Sequence, residues 1–85
     1  MIMNITTEEF SKLDLKDKKK VFAEFLGHKV NEVVSGSMTN RKWGEYRIRH
    51  EDYAYSYIKV EPTKDGYVHM TIYNFETKTW LEKAE

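Results

Sequence analysis

The side chains best suited to proton transfer in this sequence are its three histidines, His28, His50 and His69. Their spacing matches no metal-binding motif such as H-E-x-x-H, and the sequence contains no cysteine that could bind a metal as a thiolate. We therefore predict neither a bound metal nor a cofactor. The lack of cysteine also excludes a disulfide, which fits a reducing compartment, and we expect a cytoplasmic location.

One acid–base arrangement follows from the sequence pattern. Alternation along predicted strands places His69 on the same sheet face as Glu45 and Tyr57, and a histidine–carboxylate pair could serve general acid–base catalysis. An ordinary surface cluster is the competing interpretation. The sequence contains no P-loop, no glycine-rich dinucleotide turn and no G-x-S-x-G motif, and 85 residues leave little volume for a water-excluding pocket. We predict that the protein is not an enzyme.

Tyrosine and arginine are concentrated in residues 41–75, which contain all six tyrosines and all three arginines of the chain. Both residue types are enriched at protein-binding hot spots because they combine a large contact area with a polar tip. Alternate residues of a strand share a face, so the pattern assigns most of them to one side of a sheet. The predicted binding residues on that face are Trp43, Arg47, Arg49, Tyr53, Tyr55, Tyr57, Lys59, His69 and Tyr73.

The same alternation predicts three antiparallel strands, over residues 41–49, 53–60 and 67–74. Residues 50–52 are expected to connect the first two strands, and residues 61–66, with the turn sequence EPTKDG, connect the second and third. The opposite face of these strands is mostly aliphatic and suits the interior of the protein. Its predicted members are Tyr46, Ile48, Ala54, Ile58, Val60, Val68, Met70 and Ile72.

The two faces constrain the register of both hairpins. We expect Ile48 opposite Ala54 and Ile58 opposite Met70. A slip of one residue would exchange the two faces. Arginine beside tyrosine on neighbouring strands would form a cation–π contact of about 0.5–1 kcal/mol. The neighbours that this register predicts are Arg47 beside Tyr55, Arg49 beside Tyr53, Tyr57 opposite Thr71 and Tyr55 opposite Tyr73.

Two helices are predicted before the sheet. Thr6 and Glu9 have the spacing of a capping box, in which each side chain accepts a hydrogen bond from the other residue's backbone. Asp14 can cap a second helix over residues 15–26. Gly27 follows as the residue that ends it.

Four shorter segments complete the prediction. Residues 18–20, a run of three lysines, are expected on a solvated helix face because acidic residues are interleaved with them. Residues 28–34 either extend the second helix or form a short strand, and we favour an end of the helix at Gly27. Residues 35–40, SGSMTN, have the composition of a loop. Residues 79–83 suit a short helix or a fourth strand, and we prefer the strand.

Together these elements predict an α+β fold, with two short N-terminal helices packed on one face of a three- to four-stranded antiparallel meander sheet. The chain is expected to be a single domain over residues 1–85, with a helical part at 6–26 and a sheet part at 41–83. Its formal net charge of zero argues against a strongly electrostatic binder of polyanions. No apolar run approaches the ~20 residues of a membrane span, so no membrane partner is expected.

The aromatic face is left over, because the helices need only the aliphatic one. Three interpretations compete: simple strand preference of tyrosine, with the segment around Trp80 covering part of the face; a protein interface, heterologous or homodimeric; and a stacking platform for nucleic acid. We predict a small non-catalytic protein-binding domain, in the style of a phage-type accessory factor or stoichiometric inhibitor. A single-stranded nucleic-acid platform and a structural homo-oligomer are the alternatives.

Overall fold

The computed structural model of the protein describes residues 1–39, 43–52 and 54–83, with the backbone alone for residues 35–39 and 43. Within these residues the chain forms two helices and six strands, which confirms the α+β class. In chain order the elements are β1 (Ile2–Thr6), α1 (Thr7–Lys12), α2 (Leu15–Leu26), β2 (Val30–Thr39), β3 (Trp43–His50), β4 (Tyr55–Pro62), β5 (Tyr67–Asn74) and β6 (Thr79–Leu81).

Both helices begin at the predicted caps, and the second ends at the predicted glycine. The Thr6 hydroxyl accepts a hydrogen bond from the backbone N–H of Glu9, and the Glu9 carboxylate accepts one from the backbone N–H of Thr6, both at 3.1 Å. The Asp14 carboxylate accepts from the backbone N–H of Asp17 at 2.9 Å at the start of α2. Gly27 ends α2 in the left-handed region with φ of 77°, a conformation that glycine adopts without a steric penalty.

The described strands form one antiparallel sheet in the order β1-β5-β4-β3-β2, and β6 also pairs with β5. Since β1 and β2 lie at opposite edges, the helices between them cross one face of the sheet. The prediction of three to four strands is therefore too low. It missed β1, whose five residues show no clean alternation, and it treated residues 35–39 as a loop although their backbone continues β2. The preferred strand at the C-terminus is confirmed as β6.

The core lies between the helices and the aliphatic sheet face. Ile48, Ile58 and Val60 are fully buried there, and Tyr46 is 2% exposed. The ring of Phe22 in α2 lies 5.1 Å from that of Tyr46, centroid to centroid. Burying each large side chain of this kind contributes about 1.5–3 kcal/mol. Ala54 was expected on this face, but it precedes β4 and is exposed.

Lys18 does not lie on a solvated face, contrary to the prediction for residues 18–20. Its side chain is 9% exposed, and its ammonium lies 5.3 Å from the ring centroid of Phe10 and 5.7 Å from that of Tyr46. Burial lowers the pKa of Lys18 because it penalises the charged form. The lysine stem thus helps to close the core, with the ammonium held against two aromatic rings.

The register of both hairpins differs from the prediction by two residues. Ile48 pairs with Ser56 rather than Ala54, and Ile58 pairs with Ile72 rather than Met70. The shift is even, so the described side chains within the paired strands stay on their predicted faces. Tyr57 lies opposite Arg47, and Thr71 lies opposite Lys59.

Candidate functional site: the outer face of the sheet

The outer face of the sheet, which the helices do not contact, carries rows of side chains fixed by the register. Glu45, Lys59 and Thr71 lie in one row across β3, β4 and β5. Arg47 and Tyr57 are neighbours in an adjacent row. The predicted division between an aliphatic and an aromatic face therefore holds in the described strands.

Four aromatic side chains form a ring cluster at one end of this face. The ring of Phe75 lies 4.9 Å from that of Tyr73 and 5.5 Å from that of Tyr57, and the ring of Trp80 lies 5.1 Å from that of Tyr73. All three contacts are edge-to-face, the geometry that aromatic quadrupoles favour, and each is worth about 0.5–1.5 kcal/mol beyond area burial. The cluster is therefore an interlocked group rather than four independent side chains.

A tight turn after β5 completes the ring cluster. The Asn74 side-chain oxygen accepts hydrogen bonds from the backbone N–H groups of Glu76 at 2.9 Å and Thr77 at 3.0 Å. Lys78 takes a positive φ of 59°, and the chain then returns along β5 as β6. Phe75 leaves β5 at this turn with 59% of its surface exposed. Sequence reasoning did not select Phe75, although Asn74 marks the turn that positions it.

The segment around Trp80 extends the outer face more than it covers it. Trp80 pairs with Tyr73 along the edge of β5. The centroid of its ring lies 4.5 Å from the ammonium of Lys59 on β4, on the other side of β5. Thr71 of β5 is 6% exposed. Tyr55 stays 43% exposed, so a large part of the aromatic face remains accessible.

The basic side chains of the outer face are already engaged. The Arg47 guanidinium lies 4.1 Å from the ring centroid of Tyr55, so this predicted cation–π contact is confirmed, although the two residues are diagonal neighbours. Arg47 Nε is buried and has no hydrogen-bond partner among the described residues. Arg49 Nε donates to the Glu32 carboxylate of β2 at 2.7 Å. The positive charges thus belong to contacts within the protein.

His69 forms a histidine–carboxylate pair, but with Glu82 rather than with Glu45. Its Nε2 lies 2.9 Å from both Glu82 carboxylate oxygens. The amino group of Met1 also donates to Glu82, at 2.6 Å. Hydrogen bonds from this amino group and from His69 lower the pKa of Glu82 to about 2. The pair joins β5 to the residue that follows β6, and it lies outside the ring cluster.

Two predicted binding residues cannot be placed on the outer face. Tyr53 lies outside the described residues, and with it the predicted Arg49–Tyr53 contact. Trp43 is described by its backbone, which pairs with Thr39 at the start of β3.

A shallow groove of ≈ 190 Å³ runs beside the ring cluster. Glu45, whose side chain is exposed, is one of its lining residues. The other lining residues are the four members of the ring cluster, Tyr57, Tyr73, Phe75 and Trp80.

A second cluster lies on the helix side of the sheet, in a cleft of ≈ 520 Å³. The His50 Nε2 lies 2.6 Å from the Ser56 hydroxyl oxygen, and the rings of His28 and His50 are 4.8 Å apart. Burial and the nearby His28 lower the pKa of His50, while Asp52 opposes the shift. Neutral His50 can accept a proton from the Ser56 hydroxyl. The Asp52 carboxylate is engaged elsewhere, because it accepts a hydrogen bond from the backbone N–H of Ala54 at 3.1 Å. Sequence reasoning missed this pair because only the register reveals it.

Neither cluster forms a metal site of the usual kind. Among the described residues, no group of three or more histidine, aspartate or glutamate side chains is arranged to hold a metal ion. The helices of the described residues also include none that is long and apolar enough to cross a membrane.

Comparisons of this chain with protein-family models, curated proteins and solved structures found no match. Its function is therefore argued from the geometry of the site.

Proposed function

We propose that the protein binds another protein through the outer face of its sheet, with the ring cluster and Tyr55 as the main contacts. The observation that carries this proposal is the interlocked ring cluster, which presents Phe75 at 59% exposure on a fixed turn. Such exposure of a large apolar side chain to water is unfavourable for an isolated domain. A partner that covers this side chain would gain binding free energy.

The rigidity of the cluster favours tight binding. Tyrosine, tryptophan and phenylalanine have few rotatable bonds, and here their rings already pack on one another at 4.9–5.5 Å. These side chains would therefore lose little conformational entropy when a partner binds. Such a patch suits a stoichiometric inhibitor or accessory factor, which acts by covering a working surface of its partner without catalysis.

The contacts of the basic residues favour a protein partner over single-stranded nucleic acid. Phosphate binding needs cations that face solvent, whereas Lys59 lies on the Trp80 ring and Arg47 on the Tyr55 ring. Base stacking needs open ring faces, and Lys59 occupies one face of Trp80. The formal net charge of zero supplies no general attraction for polyanions.

The test is affinity capture from a native extract, followed by titration of the purified partner with matched variants. Tyr55→Ala and Phe75→Ala should each weaken binding at least about tenfold, as expected for hot-spot residues. Tyr67→Ala is the control, because Tyr67 is 40% exposed, similar to Tyr55 at 43%. Tyr67 lies at the other end of β5, about 20 Å from Tyr73 at the usual strand rise.

Three results would contradict the proposal. The first is partner binding that the Tyr67 variant weakens as much as the other two. The second is concentration-dependent self-association, measured by light scattering, that Phe75→Ala abolishes, since this would assign the face to a homodimer. The third is salt-sensitive anisotropy of labelled single-stranded DNA or RNA, which would favour the nucleic-acid alternative.

A further inference from the structure

The groove beside the ring cluster has the chemical composition of a cation-binding cage. Four aromatic side chains and Glu45 line its ≈ 190 Å³. The face of an aromatic ring carries negative potential from its quadrupole, and cages of this kind hold alkylammonium groups. The exposed side chain of Glu45, one of the lining residues, carries a full negative charge beside these rings.

The protein already satisfies the same recognition within its own chain. The ammonium of Lys59 lies 4.5 Å from the ring centroid of Trp80, and the guanidinium of Arg47 lies 4.1 Å from that of Tyr55. Both distances are within the ≈ 6 Å range of an attractive cation–π contact. Two rings of this face, those of Trp80 and Tyr55, thus already accept cations, and Glu45 lies opposite Lys59 on β3.

We infer that the groove lined by Glu45, Tyr57, Tyr73, Phe75 and Trp80 holds a cationic side chain, a lysine or arginine, of the protein partner. This inference rests on the proposed function and names the group that the partner inserts. The aliphatic stem of the cation lies along the exposed edge of Phe75, and its charged head meets the ring faces and Glu45.

Lys59 sets the strength of this contact. Its ammonium occupies Trp80 and lies in the same row as Glu45, so it competes with an incoming cation for both. A partner cation must therefore displace Lys59 or share the site with it at a repulsive cost. Removal of the Lys59 charge should tighten cation binding rather than weaken it.

The experiment compares choline with 3,3-dimethylbutan-1-ol, a neutral molecule of the same shape, by NMR titration of the intact protein. Choline should shift the ring protons of Tyr57, Tyr73, Phe75 and Trp80 and bind about tenfold more tightly than the alcohol, as expected for a cation–π site with a carboxylate. Glu45→Gln should weaken choline binding severalfold and leave the alcohol unchanged. Lys59→Gln should tighten choline binding.

Equal binding of choline and the alcohol would overturn the inference and make the groove a site for a neutral apolar anchor. Failure of choline to shift the ring protons would overturn it as well. The two proposals fail separately. If Phe75→Ala abolishes partner binding while Glu45→Gln leaves it intact, the proposed protein interface is supported. The inference that the groove holds a cationic side chain is then wrong. If choline binds but Phe75→Ala leaves partner binding unchanged, the groove binds cations and the proposed interface is wrong.

Discussion

His50 lies between two neighbours that act on its charge in opposite directions. Burial in the cleft is the main cause of its lowered pKa, His28 adds to the shift because a second imidazolium at a ring distance of 4.8 Å is repelled, and Asp52 opposes it. Neutral His50 with its proton on Nδ1 can accept a hydrogen bond from the Ser56 hydroxyl at Nε2. The hydrogen bond between His50 and Ser56 in the cleft therefore depends on the protonation state of the His50 ring.

We expect the NMR titration of His50 to give a pKa below 6.5, the ordinary value for histidine. His28→Gln should raise this pKa, because it removes the repulsion, but not fully to 6.5, because burial remains. Asp52→Asn should lower it further. A pKa that falls in the His28 variant would contradict the described contact between the two rings.

Neutral His50 also makes folding depend on pH. Because its pKa is lower in the folded state than in the unfolded chain, the unfolded chain binds more protons between the two values. The contribution of His50 to stability is therefore fully present above about pH 6.5. It declines as the pH falls from there toward the folded-state pKa.

Lys18 shows how a single residue can mislead sequence reasoning. The three consecutive lysines suggested a solvated face, yet Lys18 stands four residues before Phe22 and seven before Phe25, both of which are buried. Helical periodicity places all three on one stripe. Helical periodicity therefore indicated that Lys18 is buried. The charge composition of residues 18–20 outweighed this signal in the prediction because a buried ammonium against aromatic rings is uncommon.

At the scale of the element, the turn between β5 and β6 determines the ring cluster. Asn74→Ala would remove the oxygen that accepts from the backbone of Glu76 and Thr77, each hydrogen bond being worth about 1 kcal/mol. We expect lower unfolding free energy in urea and weaker nuclear Overhauser effects between Phe75 and Tyr73. Asn74→Asp keeps an acceptor oxygen and should preserve most of both signals. Equal loss in the two variants would exclude the acceptor as the cause.

The strands show which parts of an element the sequence can predict. Alternation is a property of each strand by itself, so the faces of β3, β4 and β5 were correct. Register depends on the length of the connection, and in the first hairpin five residues, 50–54, separate the paired Arg49 and Tyr55, where three, 50–52, were expected between Arg49 and Tyr53. The two-residue shift preserves the faces but exchanges the partners, which is why Arg47 reaches Tyr55 diagonally.

The edge strands were the least predictable elements. In β2 the register shifts twice, between Val30 and Glu32 and between Val33 and Ser35, so its backbone pairing with β3 is irregular. In β1 the register shifts between Ile2 and Thr6. A strand with such a bulge has no clean period of two, and its pairing comes from the neighbour that it meets in the fold.

At the scale of the whole molecule, β5 organises the sheet. It pairs with β4 along one side and with both β1 and β6 along the other. The chain from β1 to β2 crosses the sheet on the helix side, while the turn before β6 adds the ring cluster to the outer face. The candidate site thus depends on β5, which was predicted, and on a C-terminal strand that was preferred over a helix.

Glu82 joins the two short strands on that side of β5. It accepts hydrogen bonds from the Met1 amino group next to β1 and from His69 of β5, and it follows β6 directly. These contacts stabilise the carboxylate over the protonated acid, which explains the lowered pKa of about 2. One charged side chain therefore links β1 and β6 to β5.

This pKa predicts how stability falls in acid. Because the folded-state pKa of Glu82 lies below its ordinary value of 4.5, its contribution is present above pH 4.5 and is lost as the pH falls toward 2. Urea unfolding between pH 2 and pH 7 should show Glu82→Gln as less stable than the wild type at neutral pH, with the difference shrinking through this window. His69→Gln should reproduce part of the change, because it removes one of the two donors. Parallel pH profiles for the wild type and Glu82→Gln would mean that the carboxylate does not hold β1 and β6 together.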